Sequence, residues 1–311
     1  MKKLKIGIIG IGHLGSKHVS TYHELSEKAQ IIGICDIKKD RTEELARQYG
    51  TAAFSDYKEL LGKVDAVNIC VPTESHFEVA KFFLENKVHT FIEKPITTTA
   101  DQADILIALA QKNNLKLQVG HVERFNSAFE SIKHFTRDPL FIECHRLNRF
   151  PNRSLDIGVV MDLMIHDIDI ILGIIHSPLK DISAVGVNVL TPLEDIASVR
   201  LTFENGCVCN LTASRVSEEV MRKIRIFQKN SYISLDYVNQ EAFIYKKHEN
   251  QILKHSLPIE KEQPLKKELD HFIDCVQLDR PPIVSGLEGK NALVVALKIS
   301  EQIWKNLKKI L

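Results

Sequence analysis

Long apolar runs, cysteine pairs and a surplus of charge of one sign are all missing from this 311-residue sequence. No apolar run approaches the roughly 20 residues that span a bilayer, which argues against membrane insertion. Basic side chains number 41 and acidic ones 40, so the net charge is +1, and no basic stripe follows the chain. This balance argues against nucleic acid as a partner, because a phosphate backbone is bound through clustered Lys and Arg.

The six cysteines include no C-x-x-C pair and no zinc-ligand spacing, so we expect reduced structural thiols and no metal site. Residues 1–3 lead directly into an apolar stretch that a core strand requires, which leaves no separate signal peptide. We therefore expect a cytoplasmic protein.

The alternation of secondary structure changes near residue 122, and two domains are expected from a chain of this length. In the first part, short β-rich runs alternate with longer helical patterns, which predicts a doubly wound parallel sheet, a Rossmann α/β domain over residues 1–122. Beyond it one isolated helix, Ile157 to Ile175, precedes several alternating strands and two closing helices. This order predicts an α+β domain with a mainly antiparallel sheet over residues 123–311, whose terminal helices are free to pack back on the first domain.

Strand positions follow from the same patterns. In the first domain, the strands expected after the initial one are Ile31–Cys35, Ala66–Val71, His89–Ile92 and Leu115–Val119. In the second domain, the clearest hairpin joins Val199–Phe203 to Cys207–Leu211. Matching their apolar residues favours a three-residue loop with Gly206 in the left-handed conformation over a two-residue Asn-Gly turn.

A glycine-rich run, Gly10-Ile11-Gly12-His13-Leu14-Gly15, follows the first expected strand and precedes a helical pattern. This context predicts a dinucleotide site, because the three glycines allow a tight turn, close approach of backbone to pyrophosphate, and close packing of helix on strand. Asp36 lies 21 residues beyond Gly15, where a carboxylate accepts ribose hydroxyls and repels a 2'-phosphate. The sequence therefore favours NAD over NADP, although Lys38, Lys39 and Arg41 follow closely and soften that preference.

Lys94 is a candidate acid–base residue, in the run Glu93-Lys94-Pro95 at the end of an expected strand. Parallel strands end at one edge of the sheet, so this run is expected beside the cofactor. Burial can depress a lysine pKa, and the ammonium can hold a substrate oxygen during hydride transfer. The alternative is a surface lysine paired with Glu93.

The isolated helix carries a second candidate group, Asp162 and His166, four residues apart and so on one helix face. Histidine suits removal of an alcohol proton at neutral pH, and a neighbouring carboxylate can fix its tautomer. Asp169 lies on nearly the same face. A metal site and a helix-surface salt bridge are the alternatives, but spacing places no third metal ligand.

Arginines flank this helix and could hold a diphosphate, since guanidinium forks match phosphate oxygens. Each could equally be a solvated surface group. The candidates are Arg124 from the segment ending the first domain, then His145, Arg146, Arg149 and Arg153, with Arg215 a weaker one.

Taken in order, GIGHLG, Asp36, VPTESH, EKP and the D-x-x-x-H helix resemble the Gfo/Idh/MocA oxidoreductase family over the whole chain. The resemblance implies that Lys94 and His166 form the acid–base pair, with Asp162 as the motif aspartate. It further implies that the nicotinamide half of NAD lies near Thr73, His76, Glu93 and Lys94. The remaining cofactor-binding residues that we expect are Gly10, Gly12, His13, Leu14, Gly15 and Asp36.

Within the family, GHVERFN, RLNRFPNRSLDIGVVMDLMIHDIDIIL and NLTASRVS resemble the subgroup that oxidises UDP-N-acetylglucosamine at C3, a step that in bacteria precedes lipid A carrying 2,3-diamino sugars. The chain departs from the common pattern at Ser127, where many relatives have proline, and at Ile157, which replaces the first glycine of a pair. The resemblance makes the partner a nucleotide sugar, whose diphosphate we assign to Arg124, Arg146 and Arg153.

Other functions stay open at this point. They are a dehydrogenase of a free sugar or cyclitol, an NAD-using glycoside hydrolase of the same family, and a non-catalytic NAD sensor. Intact Lys94 and His166 argue against the sensor, which needs no proton-transfer pair. An antiparallel sheet with one open face also predicts a homodimer or homotetramer.

Overall fold

The structure is a computed structural model that describes residues 2–150, 157–249 and 251–310. The chain forms two compact units. The first joins residues 1–122 to residues 263–290, and the second joins residues 123–262 to residues 291–311. The segment 263–290, which the sequence analysis places in the second domain, is thus part of the first unit.

A six-stranded parallel sheet forms the first unit, in the strand order β3-β2-β1-β4-β5-β6. Helices connect the strands, as a parallel sheet requires. The elements are β1 (Leu4–Ile9), α1 (His13–Glu24), β2 (Ala29–Cys35), α2 (Lys39–Tyr49), β3 (Ala52–Phe54), β4 (Ala66–Ile69), α3 (Thr73–Glu85), β5 (His89–Glu93), α4 (Ala100–Lys112) and β6 (Leu117–Gly120).

The sequence predicts this unit well, with one missing strand. β4 is buried at every position and β1 at all but one, and both strands are mostly apolar, with Lys5 and Asn68 as their polar residues; such burial is typical of a sheet covered on both faces. The unpredicted strand β3 has three residues, all at least partly exposed, and it pairs with β2 at the edge of the described sheet. A strand so short has no alternating pattern from which to predict it.

The second unit is built on an eight-stranded sheet in the order β14-β13-β12-β11-β7-β10-β9-β8. All neighbours pair antiparallel except β7 and β10, which are parallel. The elements are α5 (Ser127–Ile132), β7 (Phe141–Leu147), α6 (Ile165–Ile174), β8 (Leu179–Val187), β9 (Ile196–Phe203), β10 (Val208–Ser214), β11 (Met221–Gln228), β12 (Ser231–Asp236), β13 (Glu241–His248) and β14 (Gln251–Ser256).

Two helices complete the fold, α7 (Pro264–Gln277) and α8 (Gly286–Ile310). α7 belongs to the first unit, where the ring of Phe272 lies edge-on to that of Phe91, 5.7 Å between centroids. Buried side chains of α8 beyond Asn291 join the apolar core of the second unit. Among the described residues, no helix combines enough length with enough apolar character to cross a bilayer.

The predicted hairpin between β9 and β10 is confirmed. Leu201 pairs with Cys209 and Val199 with Leu211, and the Phe203 N–H donates to the Cys207 carbonyl at 2.9 Å. Gly206 has φ of 85°, the left-handed conformation that a three-residue loop requires. Strand β7, by contrast, has no counterpart in the sequence analysis, because its buried positions include Arg146.

The predicted helix Ile157 to Ile175 is shorter than expected and begins irregularly. A π-helical turn, Val160–Met164, precedes α6. Asp162 lies in this turn and His166 in α6, so the α-helical spacing used to place them on one face does not apply strictly.

Candidate active site

The glycine run forms a cradle between β1 and α1. Gly10 has φ of 81°, and a Cβ there would lie 2.7 Å from the Cys70 backbone. A Cβ on Gly15 would lie 1.8 Å from the Gly10 carbonyl oxygen. Gly12, at the N-terminal end of α1, faces open space, with no atom within 4 Å of the position of a Cβ. Two glycines are thus required by the fold, and the third leaves room for a ligand at the helix N-terminus, which suits a pyrophosphate.

Asp36 is fixed at the end of β2 by backbone donors. Its Oδ2 accepts the Ile11 N–H of the glycine run at 2.8 Å, and its Oδ1 accepts the Lys38 N–H at 3.0 Å. The carboxylate is half-buried beside the cradle, and the next side chain, Ile37, is 90% exposed. The residues present therefore fit the adenosine half of a dinucleotide.

The other predicted cofactor residues of this unit lie along the same edge of the sheet. His13 and Leu14 are the exposed first residues of α1, and Thr73 is the first residue of α3. His76 is buried, and its ring nitrogens lie 2.9 Å from the Val71 carbonyl oxygen and 2.8 Å from that of Pro95. Burial lowers the pKa of His76, although both carbonyl oxygens oppose this.

Glu93 ends β5 as the first member of a buried hydrogen-bonded chain. Its Oε1 lies 2.8 Å from His18 Nε2, and its Oε2 accepts the backbone N–H of Lys94 at 3.2 Å. The other ring nitrogen of His18 lies 3.0 Å from Asn68 Nδ2, and Asn68 Oδ1 accepts the Tyr22 hydroxyl at 2.8 Å. Burial raises the pKa of Glu93, but the bond and charge of His18 outweigh it, so the pKa is lowered. Glu93 is therefore ionised, and in this form it supports the turn that bears Lys94.

Lys94 is half-buried at the start of that turn, and its peptide bond to Pro95 is cis. Its neighbour Glu93 bonds to His18 and to the Lys94 backbone. The candidate cofactor groups of this unit thus follow the carboxyl ends of parallel strands, the edge where doubly wound sheets bind ligands. The glycine cradle follows β1, Asp36 follows β2, Thr73 and His76 follow β4, and Lys94 follows β5.

In the second unit, Asp162 and His166 are both half-buried. The π-helical turn that holds Asp162 is anchored at its start by Glu194, whose backbone carbonyl accepts the Val159 N–H at 2.9 Å and whose carboxylate accepts the Val160 N–H. Burial raises the pKa of Glu194, and the backbone N–H groups of Glu194 itself and of Val160, which donate to the carboxylate, only partly offset this rise. π-helical turns occur often at functional sites.

Two of the arginines assigned to a diphosphate lie in buried ion pairs. Arg124 donates through Nε and Nη2 to both carboxylate oxygens of Asp169, at 2.7 and 3.1 Å. Arg146 donates in the same way to Asp167, at 3.0 and 2.8 Å, and through Nη1 to Glu123 at 2.9 Å. The diphosphate role of Arg124 and Arg146 stays a prediction, and Arg153 lies outside the described residues.

The remaining candidates have other surroundings. Arg215 is fully buried and donates to Asp195 at 2.8 Å and to the Ile157 carbonyl at 2.7 Å. His145 is half-buried and Arg149 exposed. Within the described ranges, no group of three or more His, Cys, Asp or Glu side chains is arranged to hold a metal ion.

The sequence analysis did not single out four side chains that support the candidate groups: His18, Glu123, Asp167 and Glu194. His18 lies one helical turn beyond Leu14 on α1, so an apolar helix face interrupted by histidine was an available signal. No sequence signal identifies Glu194, because it lies in the connection between β8 and β9 and contacts the helical segment only in the folded chain.

The comparisons with known proteins identify the family of the chain. A profile described as "Oxidoreductase family, NAD-binding Rossmann fold" matches residues 4–121, and one described as "GFO/IDH/MocA C-terminal domain" matches residues 118–233. The chain belongs to the Gfo/Idh/MocA oxidoreductase family.

Particular relatives cover almost the whole chain. UDP-N-acetylglucosamine 3-dehydrogenase of Acidithiobacillus ferrooxidans is 36% identical over 96% of this chain and 97% of its own length. A solved structure of that enzyme superposes with a TM-score of 0.92 and covers 97% of this chain and 98% of its own. Myo-inositol 2-dehydrogenase of Thermotoga maritima is 28% identical over 94% of each chain.

Proposed function

We propose that this protein is an NAD-dependent dehydrogenase that oxidises the C3 hydroxyl of UDP-N-acetylglucosamine to a ketone. The observation that carries the proposal is the 36% identity, over 96% of the chain, to an enzyme named for that reaction. The NAD-binding family profile and the glycine cradle support a nicotinamide cofactor. The product would serve lipid A carrying 2,3-diamino sugars, and we expect the enzyme to act in the cytoplasm.

The proposed chemistry assigns one task to each polar side chain. Bound NAD supplies the hydride acceptor. His166 takes the proton of the C3 hydroxyl, and Asp162 orients the imidazole so that its basic nitrogen meets that proton. Lys94 donates to the same oxygen as negative charge develops there, which is the form of stabilisation that lowers a barrier most.

The preference for NAD rests on Asp36. Two backbone N–H groups hold the Asp36 carboxylate in place. The side chain therefore cannot rotate away from the 2'-phosphate of NADP, and the two negative charges would repel each other. Replacing Asp36 with Ser removes the negative charge and leaves Lys38 and Arg41 nearby. We expect this variant to lose about tenfold in NAD affinity, since a hydrogen bond to a charged group contributes about 1.5–3 kcal/mol, and to gain affinity for NADP. Calorimetric titration with both cofactors measures this.

A second copy of the chain is the proposed occupant of the open face of the eight-stranded sheet. Half-exposed aromatic rings lie side by side across four strands on this face, with centroids 4.2 to 5.6 Å apart. They are Phe141, Phe227, Tyr232 and Tyr245. Such an apolar stripe is typical of a self-complementary interface, so we expect a homodimer or homotetramer, which the mass in solution determines.

The test of the activity is growth of reduced-nicotinamide absorbance when the protein meets UDP-N-acetylglucosamine and NAD, with an amine present to trap the ketone. We expect growth with this sugar and none with free N-acetylglucosamine. A parallel assay with myo-inositol covers the alternative supported by the inositol dehydrogenase relative. If absorbance grows with inositol and not with the nucleotide sugar, the substrate is a cyclitol and the proposed substrate is wrong. Release of free sugar without net reduction of the cofactor would indicate glycoside hydrolysis.

A further inference from the structure

The helix that carries His166 is held by two forks of buried charge. Asp167 and Asp169 lie on α6 one and three residues after His166, and each carboxylate receives two parallel N–H bonds from one guanidinium. Arg146 comes from the sheet strand β7, and Arg124 comes from the segment that precedes α5. Bidentate pairs fix orientation as well as distance, so both forks restrict how α6 can shift or rotate.

Both ends of the helical segment are shaped to admit these buried side chains. A Cβ on Gly173 would lie 2.0 Å from Arg124 Nη1, and one on Gly158 would lie 2.0 Å from Glu194 Oε1. Gly173 is four residues beyond Asp169 and hence on the same face of α6, so Arg124 crosses the helix where a side chain is missing. The guanidinium of Arg124 therefore occupies the space that a side chain at position 173 would fill.

The charges around the two arginines are unfavourable for a diphosphate. Arg146 is bonded to both Glu123 and Asp167, so a phosphate group beside it would face two carboxylates and one guanidinium. Arg124 is neutralised by Asp169 through two bonds. An added anion would have to displace a carboxylate from a buried pair, and the displaced carboxylate would then be costly to leave buried.

We propose that Arg124 and Arg146 are positioning residues, which hold α6 so that His166 meets the substrate hydroxyl, and that neither binds the diphosphate. This inference rests on the proposed function for the identity of the substrate. The role is mechanical: the arginines act on Asp167 and Asp169, and these fix the backbone next to His166. Other groups must then bind the diphosphate of the nucleotide sugar.

The experiment compares binding of UDP with turnover in variants of one fork. In Arg124→Met/Asp169→Leu, both charges of the pair are removed together, so neither is left buried without the other and we expect the fold to be retained. We expect the UDP dissociation constant, measured by calorimetry, to stay within about threefold of the parent, with kcat lowered about tenfold or more, because small misplacements of reacting groups are that costly. Loss of UDP binding by about tenfold or more in this variant would overturn the proposal.

A spectroscopic readout separates positioning from binding and from the proposed function itself. The ring signals of His166 in the NMR spectrum of the ligand-free protein should shift in Gly173→Ala, which crowds Arg124 but removes no charge. They should shift also in the double variant, whereas Lys298→Ala, at an exposed position of α8, should leave them unchanged. Unmoved His166 signals in both fork variants would overturn the positioning role. Absence of UDP binding in the parent protein would refute the proposed function and leave the spectroscopic result in force.

Discussion

The two units of this protein present their candidate groups in different ways. In the first unit the groups follow the ends of parallel strands, and backbone geometry fixes them: Gly10 and Gly15 allow the turn, and backbone N–H groups hold Asp36. In the second unit the groups share one helical segment, and buried side chains from distant parts of the chain hold it. The first arrangement can be identified from local sequence, whereas the second depends on the tertiary fold.

The largest effect is expected at the residues that meet the substrate. Lys94→Ala and His166→Ala should each lower kcat by about 10²- to 10⁴-fold, the usual contribution of a positioned acid or base. NAD affinity should change little, because neither side chain is assigned to the pyrophosphate or adenosine. Steady-state kinetics and cofactor titration check this, with the exposed Lys298→Ala as control. Normal turnover in either variant would remove that residue from the mechanism.

The buried forks of the second unit should show a large cost in stability when one partner is removed. Asp169→Leu leaves Arg124 buried without its carboxylate, so we expect the free energy of unfolding to fall by about 3–5 kcal/mol in urea titration. Adding Arg124→Met should recover most of the loss. The matched control is Glu143→Ala, which breaks a pair with Arg225 in which both side chains are at least 30% exposed and should cost about 1 kcal/mol or less. Equal costs for the buried and exposed pairs would contradict this account of the helix.

The glycines of the first unit should divide into structural and ligand-binding positions. Gly15→Ala brings a Cβ against the Gly10 carbonyl oxygen and should destabilise the fold. Gly12→Ala meets nothing within 4 Å, so thermal stability should be retained while NAD affinity falls about tenfold, because the methyl group occupies the space of the pyrophosphate. Thermal melts with and without NAD distinguish the two. A Gly12→Ala protein that binds NAD normally would show that the ligand lies elsewhere.

The smallest effect concerns pH. Burial lowers the pKa of His76 in the folded protein, so the unfolded chain binds more protons as pH falls through the ordinary range of histidine. The stability that neutral His76 contributes is therefore present above pH about 6.5 and is lost as pH decreases below it, by at most about 1.4 kcal/mol per pH unit. His76→Gln should flatten the decline between pH 7 and 5, whereas exposed His23→Gln should not. An unchanged slope in His76→Gln would mean that folding does not shift the pKa of this ring.

The sequence was sufficient to predict a parallel and a mainly antiparallel sheet, the β9–β10 register and the glycine-rich turn after β1, because glycine spacing and apolar alternation act over a few residues. It was not sufficient for β7 or for the partners of Arg124 and Arg146. In the sequence, Arg146 interrupts the apolar alternation that would predict a strand, because its partner Asp167 is brought beside it only by the fold. The π-helical turn that holds Asp162 likewise depends on Glu194, and no local pattern predicts it.

Transfer of a labelled hydride is the most direct test of the proposed function. UDP-N-acetylglucosamine carrying deuterium at C3 is incubated with the protein and NAD, and the mass of the reduced cofactor is determined. The account predicts reduced cofactor heavier by one mass unit from the C3-labelled sugar and of ordinary mass from sugar labelled at C4. Reduced cofactor of ordinary mass from the C3-labelled sugar, or deuterium transferred from C4, would contradict oxidation at C3.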